Sequence, residues 1–373
     1  NGQEVTLSYT VPSAHDYVPF SKLRLYRTAT GSQGTEYLFV GEYTINQSNP
    51  VLSDKVKTSD LGEPLSTMDF RPPETGLKGL IYVGNGMLAG FKENEVHVFE
   101  PYLPYASKSA NVKTMPSAVV GLCAFESGFY VITTSNPVML TGTSADAMAD
   151  YILPAIQGGV SKGSICNTGQ YVAYCSFDGI VALRGMDATL EFSQKFFTRE
   201  VWKNLFANKY SKLRLSAHDG NLVLWLDDGS ETYLIRFDEE TPSMTVLTKS
   251  ISSATVNPYA DALYFVINNS LREFKAGSQR GKFVWKSKEF AAPVATNFAV
   301  AQVIGAGDVT IKIYADGVLK HTKSMTIDLS DQNVFKLPSG FKSRLWSVEI
   351  TGEAGSEVKE FHMANSVAEL KNV

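Results

Sequence analysis

Cysteine is nearly absent from this chain. Three residues in 373 exclude a disulfide-built scaffold. Cys123, Cys166 and Cys175 form no C-x-x-C pair. Cys166 and Cys175 could be joined across a hairpin, but free thiols in the core are the expectation, because cysteine is among the most buried residue types even when unpaired. Histidine is almost as scarce. His15, His97, His218, His321 and His362 are spread along the chain, with no zinc-type spacing and no H-E-x-x-H motif. No metal and no cofactor is therefore expected. An excess of basic charge is also missing: 34 Lys and Arg stand against 38 Asp and Glu, a net charge of −4. A surface that grips nucleic acid by neutralising phosphates would need the opposite balance. Long apolar runs are missing too. The longest, Ala118–Phe125, falls far short of the roughly 20 residues that a membrane-spanning helix needs, so no membrane insertion is expected. The sequence opens at Asn1 without an apolar leader, which reads as the interior of a longer chain or the product of a removed segment.

What remains is a folded composition, 44% apolar and 19% charged, which rules out a disordered chain. The length suggests two or three domains at about 150 residues each. The dominant period is two. In Val5–Val11 every second residue is apolar; Val309, Ile311 and Ile313 alternate with polar neighbours, as do Trp346, Val348 and Ile350. That is the mark of half-buried strands. Turn pairs such as Asn85-Gly86, Asp178-Gly179, Asp219-Gly220, Asp228-Gly229 and Asp316-Gly317 separate such runs, and glycine there supplies the positive φ that tight hairpins require. Two stretches have helical character. One starts at Ser144 and ends near Pro154; the other runs over Thr198–Phe206 with Thr198 as cap and Trp202, Leu205 and Phe206 on one face.

A unit of three or four short strands recurs every 40 to 50 residues, over Leu80–Phe99, Val119–Leu140, Ser164–Leu183, Leu213–Phe237 and Ala254–Phe274. One small twisted sheet cannot bury both faces alone; stacking such sheets radially buries them, so the spacing predicts propeller blades. The expected fold is all-β: a β-propeller, complete or partial, over residues 67–284, flanked by an N-terminal fibronectin-III-like sandwich over 1–66 and a C-terminal β-sandwich over 285–373. Pro64 and Arg71-Pro72-Pro73 mark the first boundary, since proline cannot continue a ladder.

Chemical motifs are few. Gly159-Val160-Ser161-Lys162-Gly163 fits G-x-S-x-G but lacks the strand before and the helix after that a nucleophile elbow needs, so it reads as a turn entering a blade. Gly84–Ala89 matches a dinucleotide fingerprint without the following helix and reads as a hairpin. Asp227-Asp228 and Asp238-Glu239-Glu240 are the places to seek the paired carboxylates of a glycosidase, yet both fall at expected hairpin tips. No catalytic residue is assigned. The segment Glu100-Pro101-Tyr102-Leu103-Pro104-Tyr105 stands out. Two tyrosines and two prolines make a stiff aromatic loop, which suits an interface because rigid rings lose little entropy on docking. Pro101, Tyr102, Pro104 and Tyr105 are the candidate interface residues, with a loop folded back on its own blade as the other reading.

Several segments, in order, resemble those of virion structural proteins of the tail nozzle (tail tubular) type of short-tailed bacteriophages. They are Lys22–Thr28 with Thr30-Gly31 and Thr35–Val40; Leu61–Leu65, Pro72-Pro73, Leu77–Leu80 and Gly84–Phe91; Glu100–Ala106; Phe335–Gly340, Arg344-Leu345-Trp346 and Ala364–Leu370. The resemblance implies a non-enzymatic subunit of a homo-oligomeric ring in the virion tail. It implies contacts with other tail or neck proteins, transient non-specific contact with passing DNA, and residence in the host cytoplasm during assembly. The weak negative net charge agrees with a conduit through which DNA must slide. The alternative is a carbohydrate-binding or glycan-cleaving propeller, such as a receptor-binding tail component, with Asp219, Asp227 or Asp228 as its acidic residues. A cellular propeller serving as an interaction scaffold is the third reading.

Overall fold

The computed structural model describes residues 4–11, 21–29, 36–46, 48–126, 128–154, 157–189, 191–237, 243–278, 281–331 and 333–370. Thr30-Gly31, among the segments that carry the resemblance, and the acidic run Asp238-Glu239-Glu240 lie outside them. The fold is all-β, and its packing divides the chain into two units, residues 1–272 and 273–373.

The first unit opens with two antiparallel ladders. Strand β1 (Val5–Ser8) pairs with β4 (Val51–Asp54), and β2 (Lys22–Thr28) pairs with β3 (Tyr37–Thr44). Arg27 of β2 joins them, its Nε 2.7 Å from a carboxylate oxygen of the buried Asp54. A short pair, β5 (Phe70–Arg71) with β9 (Ser107–Lys108), follows. Four four-stranded antiparallel sheets come next. The first is β6 (Lys78–Gly84), β7 (Met87–Lys92), β8 (Glu95–Val98) and β10 (Val112–Thr114); the second is β11 (Val119–Phe125), β12 (Gly128–Thr133), β13 (Val138–Thr141) and β14 (Ala149–Ile152). The third is β15 (Ile165–Asn167), β16 (Val172–Cys175), β17 (Ile180–Arg184) and β18 (Asp187–Thr189); the fourth is β19 (Leu213–His218), β20 (Asn221–Leu226), β21 (Thr232–Arg236) and β22 (Ser243–Leu247). A fifth sheet has three strands among the described residues, β23 (Ser253–Asn257), β24 (Ala262–Ile267) and β25 (Ser270–Glu273).

Successive sheets stack face on face, and the opening strands β6, β11, β15, β19 and β23 lie beside one another in turn. The strand Phe129-Tyr130-Val131-Ile132 shows why the sequence reads as it does. Phe129 and Val131 pack into a core with Met87, Ala89, Phe91 and Val96 of the first sheet. Tyr130 and Ile132, on the other face, pack with Val172, Tyr174, Val181 and Leu183 of the third. Both faces are covered, so the run is continuously apolar, and each buried ring or branched chain contributes about 1.5–3 kcal/mol. This is the layered packing of propeller blades.

Between the third and fourth sheets the chain inserts α1 (Glu191–Gln194) and α2 (Arg199–Phe206). The Thr198 hydroxyl accepts the Val201 N–H at 3.3 Å, as the sequence led one to expect, and Trp202 and Phe206 are buried between the sheets. The helix expected from Ser144 does not form. There the chain makes one turn, closed by Ala147 N–H to the Ser144 carbonyl at 3.2 Å, then enters β14, whose Asp150 and Tyr151 pair with Leu140 and Met139. Burial of Ala145 and Met148 against the first two sheets, together with strand pairing, overrides the local helix preference.

The second unit is built on β28 (Val300–Ala315), after β26 (Phe283–Lys286) and β27 (Phe290–Thr296). Its first half pairs with β32 (Glu357–Ala364) and β30 (Val334–Lys336), its second half with β29 (Val318–Ile327) and β31 (Ser343–Gly352). The change of partner falls at Gly305-Ala306-Gly307. A Cβ at Gly307, where φ is +98°, would come within 2.8 Å of the Ser356 backbone. Val309, Ile311, Ile313, Trp346, Val348 and Ile350 form the core, as their alternation predicts. A short helix, α3 (Val367–Leu370), ends the described chain.

Candidate functional site

The aromatic loop leaves β8 and folds against the hairpin that joins β6 to β7. Tyr102 takes a left-handed backbone, φ +60°, and donates its N–H to the Gly86 carbonyl at 2.8 Å. The Leu103 N–H closes on the Glu100 carbonyl at 3.1 Å, and the Ala106 N–H on the Leu103 carbonyl at 3.0 Å. Glu100 anchors the base of the loop: its carboxylate accepts from Asn111 Nδ2 at 2.9 Å and pairs with Lys108 Nζ at 2.9 Å. The Tyr102 ring lies over Gly86, where a Cβ would come within 2.6 Å of it. Gly86 itself has φ +75°, so the position demands glycine twice over. Tyr102 is nevertheless 80% exposed and Tyr105 69%. Pro104 is exposed and Pro101 half-buried. The loop is thus both docked on its own hairpin and open to solvent with its rings.

A third ring joins them. The Tyr82 hydroxyl accepts the Gly86 N–H at 3.3 Å, and Tyr82 is 62% exposed. Sequence reasoning missed it. Its signal was the run Leu80-Ile81-Tyr82-Val83, apolar on both faces, in which Val83 is buried and Ile81 half-buried while Leu80 and Tyr82 stay exposed. The Asn85 side chain donates to the Thr143 carbonyl of the neighbouring sheet at 3.3 Å and steadies the hairpin. Two of the exposed rings, Tyr82 and Tyr102, are thus fixed at Gly86, and exposed apolar surface of this kind marks interaction sites.

The other motifs do not converge. Ser161 of the G-x-S-x-G segment accepts a hydrogen bond from Arg214 at 3.0 Å and is followed by a 3-10 turn, Lys162–Ser164, leading into β15. Asp227 and Asp228 sit on a hairpin tip, Asp227 bound to the Arg214 guanidinium and Asp228 to Lys212 Nζ at 3.0 Å. Hydrogen bonds from Ser230 and Lys212 hold the Asp228 carboxyl well below the usual carboxylate range. Asp178 pairs with Arg199 at 2.8 Å and Lys203 at 3.2 Å. All three cysteines are free, and burial pushes the Cys123 and Cys175 thiols up to about 12. His218 lies 3.9 Å from Asp261, and His362 lies 2.9 Å from Glu360. His15 falls outside the described residues. Among the described residues no three His, Cys, Asp or Glu side chains gather as metal ligands, and no helix is long and apolar enough to cross a membrane.

No protein-family model and no curated protein matches the chain. Solved structures that align with it include the WD40 β-propeller domain of Doa1, at 10% identity over 88% of this chain and 97% of that one, with a TM-score of 0.36. The N-terminal domain of Nup159 aligns at 12% identity over 87% of this chain and 85% of that one, with a TM-score of 0.34. The WD40 domain of Neurospora crassa Pan2 aligns at 10% identity over 66% and 72%, with a TM-score of 0.33.

Proposed function

We propose that this chain is a non-enzymatic structural subunit of a bacteriophage tail, of the nozzle type found in short-tailed phages. It acts by contacts with copies of itself and with other tail or neck proteins around a DNA passage. In this reading β1–β4 belong to a fibronectin-III-like segment that precedes the propeller in sequence, and the strands of residues 285–373 to a β-sandwich that follows it. The observation that carries it is the pair Tyr82 and Tyr102, both exposed and both tied to Gly86 at one hairpin end, the first by a hydrogen bond and the second by its ring, with the exposed Tyr105 three residues on in the same loop. Fixed, exposed aromatics suit an assembly surface. The glycan-cleaving alternative would draw on Asp219, Asp227 or Asp228. Two of these already neutralise Arg214 and Lys212, which leaves assembly the better-supported reading.

The test is electron microscopy and native mass spectrometry of purified virions and of the isolated protein. A ring of this subunit in the tail is expected. A stable monomer that is absent from virions would overturn the proposal.

A further inference from the structure

We propose that the second unit binds an acidic sugar in a cleft between β27, the start of β31 and the hairpin that joins β28 to β29. The cleft has a volume of about 540 Å³, within the roughly 300–1,000 Å³ of small-molecule sites. It exists because β27 falls out of step with β31. From the pair Ala291–Leu345 to the pair Thr296–Ser343 the chain takes five steps in β27 and two in β31. Residues 292–295 therefore arch off the ladder, and Pro293 among them has no N–H with which to rejoin it. Ala292 and Ala295 line the cleft with methyl groups alone, which leaves it open.

The side chains of β31 hold this arch in place. The Ser343 hydroxyl accepts the Leu345 N–H at 3.2 Å and donates to the Leu345 carbonyl at 3.0 Å, so it stands in for the missing ladder partner. The Leu345 carbonyl also accepts the Asp316 N–H at 2.9 Å, which fixes the hairpin tip at the cleft. The Arg344 guanidinium donates one N–H to the Pro293 carbonyl at 2.7 Å. That bond ties the guanidinium to the arch and leaves its remaining donors for a ligand.

Charge defines what fits. Lys342, Arg344 and Asp316 all line the cleft and all are exposed. Among the described residues none of the three has an opposite charge within 4.0 Å, so two cations and one carboxylate border the same space without pairing. A guanidinium and an ammonium together match a carboxylate. Asp316 needs a donor, and hydroxyl groups supply it. The ammonium of an amino acid would be repelled by the two cations, and a doubly charged phosphate by Asp316. Leu345, 41% exposed, and the alanine methyls offer an apolar wall to the C–H face of a ring. A carboxylate on a polyhydroxylated ring, a sugar of the uronic acid type, meets all of these groups. The site lies within residues 291–345 and does not depend on the assembly reading.

The test uses the full chain, with glucuronate, glucose and glutamate as probes, followed by calorimetry and saturation-transfer NMR. Lys342→Gln removes one cation, Ala295→Leu fills the cleft without changing charge, and Lys359→Gln is a control on an exposed lysine of the same unit. Glucuronate is expected to bind about tenfold or more tightly than either other probe. Lys342→Gln should weaken it about tenfold, as the loss of one charge-assisted bond does. Ala295→Leu should abolish binding, and Lys359→Gln should leave it unchanged. The proposal fails if glucuronate does not bind the wild-type chain, or if glucose or glutamate binds as well as glucuronate. It also fails if Lys342→Gln and Ala295→Leu, both folded by circular dichroism, bind glucuronate as the wild type does.

Discussion

The indole N–H of Trp202 donates to the carbonyl of Ser176 at 3.1 Å, in a fully buried bond between an inserted helix and the turn that joins β16 to β17. Trp202→Phe keeps most of the ring but leaves that carbonyl without its partner. The expected cost is about 1–3 kcal/mol in urea unfolding, and about 3–5 kcal/mol for Trp202→Ala, which also opens a cavity. Equal stability of Trp202→Phe and wild type would show that the bond contributes nothing.

The contact between Gly86 and Tyr102 separates two effects. Gly86→Ala should lower stability by about 1–2 kcal/mol from positive-φ strain, with a further loss because the new methyl meets the ring. In a Tyr102→Ala background only the strain remains, so the penalty should shrink. A penalty of the same size in both backgrounds, measured by a double-mutant cycle, would mean that the ring yields freely.

Thr198→Ala removes the oxygen that accepts the Val201 N–H at 3.3 Å. A loss of about 1 kcal/mol is expected, with Thr198→Ser close to neutral. Thermal melts of the two variants decide it.

The buried thiols predict an alkaline limit. Cys123 and Cys175 are raised from 9.0 to about 12 by burial. A raised folded value means that this stabilisation is complete below pH 9 and is lost as pH rises toward 12, because the unfolded chain ionises first. Stability should decline through that window, and Cys123→Ala/Cys175→Ala should flatten the decline. The same burial predicts that a thiol reagent near pH 8 labels these two cysteines only after denaturant is added. Rapid labelling of either in the folded protein would contradict it.

The repeat could be read from the residues because strands covered on both faces need apolar side chains at every position. Tyr171–Cys175 and Asn221–Leu226 announce themselves for that reason. The outer strands were harder to see. Ala149–Ile152 is exposed at all four residues, so no burial requirement shapes its sequence. Ser144–Met148 has helix-forming residues but answers to the packing of Ala145 and Met148, which lies beyond any local pattern. At the candidate surface, Tyr102 and Tyr105 stood out through the prolines beside them. Tyr82 did not, because an apolar residue inside a strand ordinarily points to a core. The approach of the Lys162 side chain to Gly79 depends on the stacking of three sheets, and nothing near either residue in the sequence encodes it.

Each of the first four sheets is completed by one continuous stretch of chain: Lys78–Thr114, Val119–Ile152, Ile165–Thr189 and Leu213–Leu247. A ribosome therefore releases every unit with all its strands before the next begins. Pairing partners arrive within seconds of each other, and loop closure stays short. Growth by addition onto the last finished layer needs no distant segment to return, so a large β-rich chain of this kind can mature during synthesis.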